Sequence, residues 1–451
     1  MTVAEPAMRR SGRTQGVEMH ITLKTARVVA SVLLVGVAAH GGSVASATVD
    51  TEIGGSISVL GVLSGDNLEA FLSAFAPFEE ETGISIEYEG TFDLLAVLQT
   101  RIDGGNPPDI VSNPSAGQMQ TLASAGELVA LDDIVDIAAV EADFPSSLVE
   151  LSTVGDSLYG IPGTTAVAGL VWYNPTQYDG PTDGTLDDLA AWTATAAADG
   201  RTPFCIGLES GPVSGWPGAS FIQQFMLQQS GADAYNRWWQ GELAWTSPEV
   251  RQAFESFGAY ATDDAFVAGG PTAALTTNFA TAGVGLFDDP PSCYLHVQGD
   301  WLGNAMVATV PDIEPVTDVD FFLFPAASAD VEPGIVTSGE TFGAFTDTPQ
   351  TRAFLQYVAG SQFSELIAAT GLWIGPNRQT PPESYTSVLS RQAAEAYQNA
   401  DTVVFGAQDG MPAAMSTAFH EAVMSYVADP ASLDDILAGL DEIQQTAYAG
   451  G

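Results

Sequence analysis

Between residues 55 and 111 the hydrophobic period of the sequence switches back and forth, and that alternation constrains the fold more than any other feature of the chain. Residues 55–63 (GSISVLGVL) alternate small and aliphatic side chains, as a strand does. After the turn Ser64-Gly65-Asp66-Asn67, which offers an N-cap, Leu68, Phe71, Leu72, Phe75 and Phe78 recur at helical spacing through residue 80. Gly83 breaks the stripe, and residues 84–88 alternate again. Residues 94–102 read as a second helix, stopped by Gly104-Gly105-Asn106-Pro107-Pro108, and 109–111 as a short strand. Strand, helix, strand, helix, strand predicts a mainly parallel sheet covered by helices on both faces.

The pattern continues. Strands are expected at 170–173, 204–208, 284–287, 321–324 and 343–345. Helices are expected at 186–198, 219–229, 248–260, 349–359, 365–369, 390–399, 411–428 and 433–448. No repeat and no low-complexity linker interrupts them, so one α/β body with two lobes is expected rather than separate beads.

Residues 21–47 have the anatomy of an export leader. Lys24 and Arg27 start it, 28–39 form an apolar run, and Ala45-Ser46-Ala47 is a small-x-small site for cleavage before Thr48. The run is shorter than the ~20 residues of a membrane span. Met19 is an alternative start, and no Cys near the cleavage site offers an acyl anchor. A periplasmic or secreted location is therefore expected. In such a compartment the only cysteines, Cys205 and Cys293, are expected to form a disulfide, worth on the order of 4 kcal/mol for a loop of this length.

Charge excludes some partners. The chain carries 56 acidic and 12 basic side chains, a net −44. Beyond residue 47 all seven remaining bases are Arg. A polyanion of this kind is repelled by nucleic acid and by anionic lipid, which need Lys/Arg clusters to displace counterions. Catalytic signatures are sparse: there is no GxSxG, no GxGxxG after a strand, and no Lys for a phosphate loop. His296 and His420 are the only histidines past the leader, in no ligand-spaced cluster, and 179–188 lacks the order of a calcium loop. No cofactor and no metal are expected. A pair of carboxylates suited to glycoside hydrolysis remains compatible with so acidic a chain.

Several stretches resemble the bacterial extracellular solute-binding proteins of sugar ABC transporters. They are GVLSGDNLEAFLSAFAPFEEETGISIEYEG (61–90), RIDGGNPPDI (101–110), LASAGELVALDDI (122–134) and IPGTTAVAGLVWYNP (161–175). ESGPVSGWPG (209–218), LTTNFA (275–280), DDPPSCYLHVQ (288–298), SGETFGAFTDTPQTRAFLQYVAG (338–360) and TGLWIGPNR (370–378) look like the α-glucoside-binding branch. The resemblance implies a type II periplasmic-binding-protein fold, maltose-binding-protein-like, with a hinge and an interlobe cleft. It places one lobe at 48–166 with 335–370 and the other at 167–334 with 371–451. Both cysteines then fall in one lobe, which leaves the hinge free to close. The implied function is non-enzymatic capture of an α-glucoside or related oligosaccharide for a membrane permease, by a monomer. The rival readings are a secreted glycan-acting enzyme and a receptor for a non-sugar solute such as a polyamine.

Sugars present hydroxyl rims and apolar C–H faces, so a sugar site pairs carboxylates and amides with flat rings. Ligands of open α/β sheets sit beyond the carboxyl ends of strands. That singles out Ser64 and Asp66, the latter a sugar contact or a helix cap. Thr91 and Asp93 match family contact positions, Asp93 again being a possible cap. Asn113 either bonds a hydroxyl or closes the turn before Pro114. Trp216 and Trp373, in loops flanked by Gly and Pro, are expected to stack on sugar. Trp238, Trp239 and Trp301 read as core or surface. Asp288 and Asp289 face the cleft or sit in a solvated turn, and Glu340 matches an acidic position of the family. His296 reads as a packed residue.

Overall fold

The computed structural model describes residues 53–329 and 333–449, without the side chain of Asp66. The expected leader and its cleavage position lie outside the described residues.

The alternating segments near the amino terminus assemble into a five-stranded sheet. Its order is Ile84–Gly90, Gly55–Gly61, Ile110–Asn113, Thr341–Ala344, Ile161–Pro162. The first three strands are parallel, with Gly55 opposite Ile84 and Val59 opposite Ile110. Thr341–Ala344 returns antiparallel to Ile110–Asn113, which brings a distant segment to the middle of the sheet.

The helix expected over 68–80 is two helices, Gly65–Ser73 and Ala76–Thr82. Pro77 explains the break. It has no N–H to give and its ring would clash with the carbonyl four residues back, so it stands in the first turn of a new helix. The aromatic stripe survives the break: Phe71, Phe75 and Phe78 are all buried and meet Phe342, Phe354 and Phe363.

A four-stranded sheet follows, ordered Asp320–Phe322, Leu170–Tyr173, Leu295–Gln298, Phe204–Cys205. Cys205 and Cys293 are disulfide-bonded beside it, their Cα atoms 5.4 Å apart. His296 is buried there, its Nδ1 2.8 Å from the Cys205 carbonyl. The strand expected at 284–287 is instead part of a 3₁₀ helix, Ala282–Phe287. A short apolar run does not separate the two by period. Here both edges of Phe204–Cys205 are already taken, by Leu295–His296 and by Val267, so the run has no strand to join.

The helix expected at 219–229 runs from Trp216 to Trp239, with non-helical backbone at Gly231. Trp216 is therefore the first residue of a helix and not part of a loop. Gly215 before it, at φ 103°, lies against the His420 carbonyl, and a Cβ there would come within 2.2 Å of that oxygen. The amino end of this helix is thereby seated on the helix Ala413–Ala428.

A three-stranded sheet, Val403–Phe405, Ile335–Ser338, Ala166–Ala168, adjoins segments 163–165 and 339–340. Thr165 and Ile374 exchange both backbone bonds, at 2.9 and 2.8 Å. Gly163 N–H donates to the Glu340 carbonyl at 2.7 Å. Gly339 passes so close to Thr164 that a Cβ would meet its carbonyl oxygen at 2.1 Å. Segments 163–165, 339–340 and 373–374 are thus held together main chain to main chain.

The disulfide gives a direct check. Thiol titration of denatured, unreduced protein is expected to find no free thiol. Reduction should lower stability by about 4 kcal/mol, the chain-entropy value for so long a loop, read from denaturant midpoints.

Candidate functional site

The loops that follow the three parallel strands open onto one cavity of about 340 Å³. Val62, Leu63, Ser64 and Asn67 line it after the first strand, Phe92 after the second and Pro114 after the third. This is the crevice that an open α/β sheet creates beyond its strand ends. The segments tied together by main chain supply Thr164, Ala166, Gly339, Glu340, Leu372 and Trp373. The opposite wall comes from Trp216, Ser220 and Gln223 on one helix, together with Phe279, Gln298 and Trp301. Gln408, Asp409 and His420 close it.

Two kinds of surface meet here. Trp216 stands edge-on to Phe279 at 5.1 Å, and Phe279 to Trp301 at 5.9 Å, forming a continuous aromatic wall. Across the cavity Trp373 packs its ring against Phe71 at 5.7 Å. Between the aromatic groups lie hydrogen-bonding ones. Gln408 donates from Nε2 to Ser220 Oγ at 2.9 Å, and its Oε1 lies 2.9 Å from His420 Nε2. Burial pushes His420 down to about 4, so the ring is neutral at pH 7; its Nε2–H donates to Gln408 and Nδ1 is left as an acceptor. Gln298 is buried with its Nε2 donor unpartnered.

The acids are held in unusual states. Glu340 is only 6% exposed and accepts the Ser112 hydroxyl. Desolvation pushes it up to about 7, with the Ser112 bond working the other way. Asp409 is partly buried, and desolvation alone pushes it up to about 7.

Of the residues singled out from the sequence, Ser64, Trp216, Glu340 and Trp373 line the cavity. Ser64 is exposed at the rim. Asp66 lies in the first turn of Gly65–Ser73, its side chain outside the described residues. Thr91 and Asp93 flank the cavity without lining it. Thr91 Oγ1 accepts the Asp93 N–H at 3.1 Å, and the residue between them, Phe92, is the one that reaches the cavity. Asn113 is buried and closes a turn, accepting Ser115 N–H at 2.9 Å and donating to Gln118 at 2.7 Å. Asp288 and Asp289 are exposed and do not line the cavity; Asp288 accepts the Ser292 hydroxyl.

Sequence reasoning missed Phe92, Phe279, Trp301, Gln408, Asp409 and His420. Phe279 sits inside the quoted LTTNFA stretch, which was a usable signal. Trp301 read as core or surface, because its contribution depends on the chain turning after Leu295–Gln298.

The comparisons with known proteins point the same way as this architecture. Residues 64–363 match the family model described as bacterial extracellular solute-binding protein. The chain belongs to that family. It is a binding protein and not an enzyme. It is 32% identical over 377 residues, 82% of its length and 88% of the relative's, to the osmoprotective compounds-binding protein GgtB of Synechocystis sp.. It is 30% identical over 406 residues, 86% of its length and 87% of the relative's, to the alpha-glucosides-binding periplasmic protein AglE of Rhizobium meliloti. Its backbone follows a solved chitin oligosaccharide binding protein with a TM-score of 0.75 at 18% identity, covering 88% of this chain and 99% of that one. The fold is the two-lobed α/β fold of periplasmic binding proteins. No helix among the described residues is long and apolar enough to cross a membrane.

The two tryptophans differ in what they support. Trp373 is 7% exposed and belongs to the aromatic core around Phe71, whereas Trp216 is half-buried on the wall. Trp373→Ala is expected to cost about 3–5 kcal/mol of stability, as for a core ring. Trp216→Ala should cost clearly less. Denaturant melts of the two variants check the order.

Glu340 imposes a pH dependence. From its ordinary 4.5 up to about 7 the unfolded chain has released the proton that the folded chain keeps. Stability therefore falls as pH rises through that window. Glu340→Gln is expected to flatten this decline relative to the parent, since the two histidines pushed the other way are common to both proteins. Melting temperatures at pH 4.5, 6 and 7.5 test it, and parallel curves would show that Glu340 titrates normally.

Proposed function

We propose that the protein captures an α-glucoside or related oligosaccharide in this cavity and presents it to the permease of an ABC transporter. The observation that carries the reading is the cavity itself: an aromatic wall together with neutral amides, a neutral imidazole and two carboxylates, at the ends of parallel strands. Rings suit the C–H faces of a sugar, and the polar groups suit its hydroxyls. Two relatives at 30% identity or more, covering most of both chains, carry names that speak of osmoprotective compounds and alpha-glucosides, and this supports the same class of ligand here.

In this reading Ser64, Trp216, Glu340 and Trp373 contact the ligand from the expected set, joined by Phe92, Phe279, Trp301, Gln408 and Asp409. One lobe comprises 48–166 with 335–370, and the other 167–334 with 371–451. The hinge is then the main-chain bundle around Thr165 and Ile374. Closure changes the surface offered to the permease, so loading is signalled by shape. The protein acts as a monomer outside the cytoplasmic membrane.

Calorimetry with trehalose, sucrose, maltose and a glucosylglycerol tests this. At least one should bind, with a change in tryptophan fluorescence, and all should be recovered intact. Trp216→Ala should weaken that binding by about 1–3 kcal/mol, the scale of a buried apolar side chain, or roughly 5- to 150-fold. Release of glucose, or silence across a wider neutral and charged saccharide panel, would overturn the reading.

A further inference from the structure

The cavity contains acids with no fixed cation to answer them. Glu340 and Asp409 both line it, and no Arg or Lys does. The salt bridges among the described residues lie elsewhere: Arg101 with Glu89, Arg201 with Asp179 and Asp199, Arg251 with Glu255 and Asp434, Arg352 with Asp347. Glu340 at least receives the Ser112 hydroxyl. Among the described hydrogen bonds the Asp409 carboxylate receives none from any side chain or backbone N–H, although its main-chain carbonyl accepts Ser115 Oγ.

The titratable groups around the two acids do not supply the missing charge. Tyr88 faces Glu340 and Tyr235 faces Asp409, and burial holds both phenols protonated and uncharged. His420 is neutral and already bonded to Gln408. An ionised carboxylate without a partner becomes costly once a ligand displaces the water around it. A neutral sugar filling the cavity would remove more water and add no positive charge. An ammonium on the ligand would ionise the acid, pair with it and make charge-assisted bonds, which are stronger than neutral ones. The aromatic wall adds to this, because ring π-systems attract cations.

We propose that the preferred ligand is a positively charged saccharide, an amino- or imino-sugar unit, whose ammonium pairs with Asp409, with Glu340 as the second acid of the same cavity, beside the wall of Trp216, Phe279 and Trp301. This rests on the reading of the cavity as a saccharide site and names the charge class of its ligand. It differs from a polyamine receptor in that the wall and the amides are engaged by sugar C–H faces and hydroxyls.

The test uses matched pairs in which oxygen is replaced by a basic nitrogen, measured by calorimetry at pH 7: trehalose against 2-trehalosamine, cellobiose against the β-1,4 glucosamine dimer, and 1,5-anhydroglucitol against 1-deoxynojirimycin. Spermidine serves as a cation without a sugar. In at least one pair the charged member is expected to bind at least about tenfold more tightly, equivalent to 1.4 kcal/mol. Asp409→Asn should bring the two members of that pair to equal affinity. Should that variant fail to fold, Glu340→Gln, expected to reduce the same ratio, stands in for it, and the panel on the parent protein decides on its own. Neutral members that bind as well as the charged ones in every pair would overturn the charge preference and leave the saccharide receptor standing. Binding of spermidine with no saccharide bound would overturn both. A charge preference that survives Asp409→Asn and Glu340→Gln unchanged would overturn the assignment to these acids.

Discussion

The two backbone hydrogen bonds between Thr165 and Ile374 hold the whole arrangement of the cleft. They tie the segment at 163–165 to one more than two hundred residues later, and Gly339 lies against Thr164 at a distance only a glycine tolerates. The tie is made largely by main chain, with Thr164 Oγ1 adding a bond from the Glu340 N–H at 3.0 Å. The same segments line the cavity with Thr164 and Ala166, Glu340 and Trp373.

Charge behaves differently at two scales in this molecule. Over the surface, the excess of acids is solvated and does little more than keep copies apart. Inside the cleft, the same residue types are stripped of water, and their protonation becomes a property of the site. Glu340 and Asp409 are raised toward neutrality and His420 is pushed well below it, all by burial. At pH 7 both acids therefore stand near their midpoints, and the charge of whatever enters bears on how far they ionise. Asp300, also buried and raised to about 8, sits behind the cleft in the same condition.

Legibility followed distance along the chain. The strands at 55–61, 84–90 and 110–113 and their parallel order were readable because each is announced by local period and bounded by glycine and proline. The loops after them were readable as cleft for the same reason, which is how Ser64 was found. The choice within a loop was less readable: Phe92 faces the cavity while Thr91 and Asp93 bond each other. Asn113 shows why, since its amide serves a local turn as readily as a ligand. Asp288 and Asp289 look identical to cleft acids in sequence, and their exposure was set by a 3₁₀ turn that the sequence reads as a strand.

By itself, then, the amino-acid sequence determined an α/β body with parallel strands, a pair of cysteines suited to one another and a strong acidic bias. These depend on composition and on periods of two to four residues, which neighbours along the chain decide. Only the tertiary structure brought Trp216, Phe279 and Trp301 into one wall, set His420 against Gln408, and placed Asp409 in a cavity that no Arg or Lys lines. Those contacts join segments far apart in sequence, and the protonation of the acids depends on how much water the assembled walls exclude, which no local pattern encodes.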